Sequence, residues 1–233
     1  MNSVICIIPA RRGSRELKNK NIKLLNNIPL IMYPYQIAKR SKLISKICIS
    51  SDSKKYLNLF KNKKVLKILR PSRLAQSNSK VVDTILHALS KIKDEFKFLV
   101  LLEPTSPLTS SIELDKALRF FFKLNNKADS MISIFSNPKY YDSFKCNVNK
   151  NFKYMKKFNF NKNMNRQNFK KKEFFFSGNF YISKISSLKK NKSFLTKKTY
   201  CYPIKKSINT DIDNINDFLY ADVLLKKRIF KLD

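Results

Sequence analysis

Only two of the 233 residues are glycine, Gly13 and Gly178, and there is no tryptophan and a single histidine. Average usage near 7% would supply about sixteen glycines. In a chain so averse to glycine, a retained one is expected to mark backbone that needs a positive φ or the close approach of a ligand. Long apolar runs are missing too: none approaches the roughly 18 residues of a membrane span. The first run, Val4 to Ile8, is followed at once by Arg11 and Arg12 with no cleavage region, so no signal peptide is expected. The four cysteines, Cys6, Cys48, Cys146 and Cys201, form no C-x-x-C pair. They read as reduced, mostly buried thiols of a cytoplasmic protein, not as metal ligands or disulfides. Charge of one sign is also scarce, with 16 acidic residues against 49 basic ones.

The resulting formal charge of +33 and a pI of about 10.1 pass a first screen for nucleic-acid binding. Lysine runs through nearly every segment, however, alongside abundant Asn, Ile and Phe. That scatter fits compositional drift better than selection of one cationic face, and neither nucleic acid nor membrane is expected as a partner. Such a field would still speed the arrival of anionic nucleotides and sugar acids at low salt. With 43% hydrophobic residues, the chain can bury one good core, and a single domain over 1–233 is expected.

The stretch VICIIPARRGSRELKNKN, Val4 to Asn21, organises the rest. Its apolar start suits a strand buried on both faces of a parallel sheet. It breaks at Pro9 into a loop holding Arg11, Arg12, Gly13, Ser14, Arg15, Lys18 and Lys20. A strand that empties into a cationic loop at its carboxyl end is a common α/β route to a phosphate site. Further along, periodicity predicts helices over 29–43, 53–61, 81–92, 112–124 and 215–227. Strands are predicted over 46–52, 65–69, 96–102, 130–135, 174–182 and 200–204. Alternation of this kind argues for βαβ units around a parallel sheet. Between about 137 and 172 the chain is rich in Lys, Asn, Phe and Tyr with weak periodicity. Its aromatics favour an excursion packed against something else, such as a second subunit, over full solvation.

Three stretches, 9–21, 103–109 and 209–213, are expected to meet at one edge of the sheet. In the last, Asp211 and Asp213 point to the same side of an extended backbone, because side chains at i and i+2 point alike. Paired carboxylates facing a cationic loop are what a Mg²⁺–triphosphate site requires. The plainer alternative makes them turn residues or the N-cap of the closing helix. Likewise Ser177-Gly178 could be a simple β-turn, and His87 is read as a packing residue of its helix.

The order IIPARRGS…KNKN, ILRPSRLAQS…ILHAL, LLEPTSPL, SGNFYIS and NTDIDNINDF resembles the acylneuraminate cytidylyltransferase family, the CMP-sialic acid synthetases and their relatives, from about residue 4 to residue 220. Both glycines fall inside these motifs. The resemblance implies an α/β, Rossmann-like nucleotidyltransferase fold with a mostly parallel central sheet. It also implies a homodimer, with the 137–172 excursion reaching into the partner. The implied reaction is attack by the anomeric hydroxyl of a nonulosonic acid on the α-phosphate of CTP, with Mg²⁺ as cofactor and pyrophosphate as leaving group. By the same resemblance Arg11, Lys20 and Asp211 carry catalysis. Ala10, Gly13, Ser14, Asn21 and Arg70 join Arg11 and Lys20 in binding nucleotide, Asp211 and Asp213 hold the metal, and Glu103, Thr105, Ser106, Arg166 and Gln167 face the sugar acid.

The chain departs from the family pattern in the first loop, where Arg12 and Glu16 replace glycines and Lys18 replaces proline. Lost glycines would distort the loop if those positions need a positive φ. Glu103 stands where Gln is common, and its charge would oppose a substrate carboxylate. Two rival readings follow: a catalytically decayed member acting as a basic polyanion-binding protein, and an enzyme using an eight-carbon keto acid.

Overall fold

A strand with no polar side chain to offer solvent has to run through the middle of a sheet, and Val4–Pro9 (β1) does so. The computed structural model describes residues 3–14, 16–136, 145–146, 155–156, 174–204, 211–227 and 229. The other strands of the main sheet are Lys46–Ser51 (β2), Leu66–Leu69 (β3), Phe98–Leu101 (β4), Ser130–Ser136 (β5), Phe174–Lys184 (β6) and Thr199–Pro203 (β7). Their spatial order is β7-β5-β6-β4-β1-β2-β3. β1 pairs in parallel with β2 and β4, β2 with β3, and β5 with β7; β6 runs antiparallel between β4 and β5. The sheet is therefore mostly parallel, as expected, with one reversed strand that the sequence pattern does not reveal.

Both faces of β1 are buried because helices cover both. Val4, Cys6 and Ile8 pack with Ile37 and Ala38 of α1 (Met32–Arg40) and with Leu114, Ala117, Leu118 and Phe121 of α4 (Ser111–Leu124). Ile5 and Ile7 face the other way, against Val82, Ile85 and Ala88 of α3 (Val81–Ser90) and Ile185 and Leu188 of α5 (Ile185–Asn191). The period-two alternation of a strand thus divides one apolar run between two cores. Each layer stabilises the fold at about 25 cal/mol per Å² of apolar area removed from water.

Pro34 is tolerated as the third residue of α1, where its missing N–H would have no intrahelical acceptor. The helix expected over 53–61 is shorter: α2 spans Lys54–Leu57, capped by the Ser53 side chain. Beyond it the backbone tightens into i→i−3 bonds, Leu59 to Tyr56 and Phe60 to Leu57. These turn Phe60 inward, onto the edge of Tyr35 at 5.2 Å.

A third apolar cluster decides where the site lies. α6 (Ile215–Lys226) buries Phe218, Ala221, Leu224 and Leu225 against Leu17, Leu25, Leu30, Tyr33, Leu108 and Ile212. Residues from the first loop, from the segment after β4 and from the approach to α6 share one small core. Asn214 caps α6, taking the Asn216 and Asp217 amides while Asp217 reaches back to the cap backbone. The capping role therefore belongs to Asn214, and Asp211 and Asp213 are left out of it. Of the 137–172 segment the structure describes only Lys145–Cys146 paired antiparallel with Met155–Lys156.

Candidate active site

The strand order reverses at β1: successive strands step to one side through β2 and β3, and β4 then takes the other side. Ligand crevices of open α/β sheets lie outside the carboxyl ends at such a point. A cleft of about 560 Å³ opens there, lined by Arg11, Ser14, Glu16, Lys20 and Asn21 of the first loop, Arg70 and Thr84, Gln76 to Ser79 in part, Glu103 to Thr105, Asp211 and Asp213.

The first loop is held by its own polar groups. Ala10 N–H donates to Ser50 O at 2.9 Å, and Asn21 Nδ2 donates to Arg11 O at 2.8 Å from a buried position. The left-handed residue among the loop's described positions is Asn19 (φ 56°), just before a short 3₁₀ turn over Lys20–Ile22. Asparagine tolerates that region better than other non-glycine residues. Arg12 and Glu16 have no positive φ, so the glycines missing there are not needed. Gly13 does not have a positive φ either, and a Cβ on it would meet nothing within 4 Å. Of the two roles expected of Gly13, the positive φ is thereby excluded, and the close approach of a ligand is the one left.

Gly178 does take the positive φ. It sits at φ 69° in an irregularity of β6, where the register to β5 shifts between Phe176 and Tyr181. A Cβ on it would lie 2.8 Å from Ser106 Oγ and 3.9 Å from the Asp211 carboxyl. The Ser177-Gly178 pair is thus a bulge and not a turn. Ser133 Oγ secures it, accepting from Ser177 Oγ at 2.6 Å and from Phe180 N–H at 3.1 Å. Asn179 Nδ2 donates to Thr109 Oγ1, tying the bulge to the segment after β4.

The three stretches expected to converge do so through direct bonds across residues 211–213. Lys20 Nζ donates to Ile212 O at 2.6 Å and to Asp213 Oδ1 at 3.2 Å, and Ile212 N–H donates to Thr105 O at 2.8 Å. On the opposite wall Arg11 donates to Gln76 O at 3.0 Å, and buried Arg70 donates to Thr84 Oγ1 at 3.1 Å. Gly13 borders an adjoining open part of the same cleft with Arg11, Ser14, Gln76 and Ser77. Ala10 and Ser106 are buried and do not line it, and Ser106 Oγ has no hydrogen-bond partner among the described residues. Arg166 and Gln167 lie outside the described residues. Thr84 and Gln76 went unmarked in the sequence: Thr84 sits on the apolar face of α3 beside Val82 and Ile85, where a lone threonine carries no signal.

The charges divide the cleft. Glu103 is pushed up to about 7 by burial first and by the nearby Asp211 and Asp213 carboxylates next, with Lys20 opposing. Asp211 is also raised, by burial and then by Asp213, while a hydrogen bond from Thr105 and the Lys20 charge pull it down. Burial lowers Arg70, Asp52 opposes that shift, and Arg11 adds to it. Crowded carboxylates facing cations suit a ligand that brings both negative oxygens and a cation. Among the described residues no group of three or more His, Cys, Asp or Glu is arranged to hold a metal alone. Two carboxylates completed by ligand oxygens are what Mg²⁺ commonly uses, and Asp211 with Asp213 fit that pattern.

A family model described as cytidylyltransferase matches residues 5–230. The chain belongs to the cytidylyltransferase family. It is 28% identical over 223 residues to an N-acylneuraminate cytidylyltransferase of Streptococcus agalactiae serotype III, covering 93% of this chain and 52% of that protein. The chain thus spans about half the length of that relative. It is 30% identical to the post-translational flagellin modification protein B of Campylobacter coli, covering 98% of this chain and 97% of that one. Among solved structures, a CMP-2-keto-3-deoxy-manno-octonic acid synthetase complexed with CTP superposes with a TM-score of 0.73 at 12% identity, over 97% of this chain and 100% of that one. That likeness shows the cytidylyltransferase fold. Nothing in these comparisons favours a decayed, polyanion-binding member of the family. Among the described residues no helix is long and apolar enough to cross a membrane.

Proposed function

We propose that this cytidylyltransferase-family chain joins CMP from CTP to a sialic-acid-like nonulosonic acid, releasing pyrophosphate, for surface glycan biosynthesis. The observation that carries the reading is the bonding of Lys20 to Asp213 and to the Ile212 carbonyl. It brings the cationic loop and the paired carboxylates to one end of the cleft. The relatives supply the chemical class, since the S. agalactiae protein is named for N-acylneuraminate.

In this reading Arg11, Lys20 and Ser14 receive the triphosphate, with Asn21 fixing the loop through the Arg11 carbonyl. Arg70, which lines the cleft on the opposite wall, would meet the nucleotide. Glu103 and Thr105 line the cleft where the sugar acid would bind, and the family resemblance adds Ser106, Arg166 and Gln167 to the residues that recognise it. Asp211 and Asp213 would hold Mg²⁺, which when bound neutralises phosphate charge. The anomeric oxygen gives up its proton to solvent and bonds to the α-phosphorus as the bond to the β-phosphate breaks, and pyrophosphate leaves with the bonding electrons. The protein's contribution is to align the two reactants and to complement charge that develops on the phosphate oxygens. A homodimer formed through 137–172 and a cytoplasmic location belong to the same proposal.

The test is pyrophosphate release from CTP and Mg²⁺ in the presence of a panel of nonulosonic acids. Acid-dependent release is expected. No release with any acid, under conditions where an authentic N-acylneuraminate cytidylyltransferase works, contradicts the proposal.

A further inference from the structure

Arg70 is 5% exposed, and a buried guanidinium is costly unless a carboxylate and hydrogen-bond acceptors surround it. Its Nη1 donates to Thr84 Oγ1, its Nε has no partner among the described residues, and its Nη2 lies 4.0 Å from Asp52 Oδ1. That same oxygen accepts the Arg12 N–H at 2.9 Å. One carboxylate thus stands between the backbone of the cationic loop and the arginine of the opposite wall, without lining the cleft.

The position follows from the sheet. Ala10 N–H donates to Ser50 O, and Arg70 N–H donates to Ser51 O at 2.9 Å, so backbone bonds join the ends of β1, β2 and β3. Asp52 is the next residue of β2's chain, and its side chain carries this link one step past the sheet, to Arg12 and to the Arg70 head. The carboxylate is 19% exposed, which limits solvent screening of the pair. The buried Tyr56 hydroxyl, which has no partner among the described residues, also feels the Asp52 charge.

We infer that Asp52 is a positioning residue: it holds the Arg70 guanidinium and the Arg12 backbone in the arrangement that receives the nucleotide, without touching the nucleotide itself. This rests on the reading of Arg70 as nucleotide-binding. Asp52→Asn keeps the shape and an acceptor for Arg12 N–H but removes the charge that holds Arg70.

Calorimetric titration of the full chain with CTP, without sugar acid, tests it. Asp52→Asn is expected to weaken CTP binding about tenfold, about 1.4 kcal/mol, and in an Arg70→Ala background to cost less than about twofold more. Asp94→Asn, which removes the same charge from a surface pair with Lys46, is expected to bind as wild type. Turnover gives a second readout should Arg70→Ala not fold: KM for CTP rises about tenfold in Asp52→Asn with kcat nearly unchanged, a split that general loosening would not produce. Wild-type binding by Asp52→Asn overturns the inference. So do losses that multiply in the double variant, an equal loss in Asp94→Asn, or a fall in kcat without a change in KM. Failure of the wild type to bind CTP would remove the nucleotide reading itself, and this inference with it.

Discussion

Replacing Glu103 by glutamine should stabilise the protein at neutral and higher pH but not in acid. The Glu103 carboxyl is raised from 4.5 to about 7, chiefly by burial and then by the Asp211 and Asp213 carboxylates. The folded state therefore holds the Glu103 proton more tightly than the unfolded chain does. That contribution is fully present below about pH 4.5 and is lost as the pH rises through about 7. At about 1.36 kcal/mol per pH unit, moving from 4.5 to about 7 sets a ceiling near 3.4 kcal/mol. Glu103 is only partly buried and its cleft is open to water, so about half of the ceiling, ~1.5–2 kcal/mol, is the expected effect. Glutamine has the same shape and no charge to desolvate. Urea unfolding at pH 5 and pH 8, at fixed salt and without nucleotide or divalent cation, measures the difference. Glu103→Gln should lie within about 0.5 kcal/mol of wild type at pH 5 and exceed it by ~1.5–2 kcal/mol at pH 8. An equal gap at both pH values, or a wild type more stable at pH 8, would refute the electrostatic account of this corner of the cleft.

Other substitutions separate chemistry from folding. Asp211→Asn and Arg11→Ala should each lower kcat/KM by at least about 10²-fold, a typical cost of losing a charge-stabilising group; near-wild-type rates in both would remove them from the site. Gly178→Ala should destabilise by about 1–3 kcal/mol, since it adds a Cβ at φ 69° and 2.8 Å from Ser106 Oγ. Gly13→Ala should leave the unfolding free energy within about 0.5 kcal/mol, and equal losses in denaturant melts of the two variants would contradict the backbone argument. Asp115 is buried, accepting from Ser41 Oγ and from Lys42 N–H at 2.9 Å. Asp115→Ala should cost about 2–3 kcal/mol of stability with CTP affinity unchanged, and a large loss of affinity would tie α4 to the site.

Much of the fold was legible because its central strands leave no ambiguity. Val4 to Ile8 and Phe98 to Leu102 are apolar on both faces, and the helices between strands show their periodicity plainly. The meeting of 9–21, 103–109 and 211–213 was legible for the same reason: parallel strands deliver their carboxyl ends to one edge. The direction of β6 was not, because pairing sense leaves no mark on a run such as Phe174-Phe175-Phe176, and the long 137–173 connection carries no helical period to set it. The two glycines show the limit of scarcity as a signal. Gly178 occupies a bulge that a side chain would crowd, whereas at Gly13 neither dihedral nor space demands glycine. The left-handed turn of that loop fell to Asn19. Asp52 escaped notice because a single aspartate after a strand looks like any turn residue until the wall it faces is known.

The proposed function is that the cleft between the first loop and Asp211–Asp213 transfers CMP from CTP to a nonulosonic acid. Incubation with α-phosphate-labelled CTP, Mg²⁺ and each acid of a panel tests it most directly, with the label followed by mass and chromatography. The account predicts labelled CMP joined to at least one acid, with one pyrophosphate released per molecule formed and none of this product from Asp211→Asn. Label remaining in CTP with every acid, or appearing as free CMP whether or not an acid is present, would contradict it.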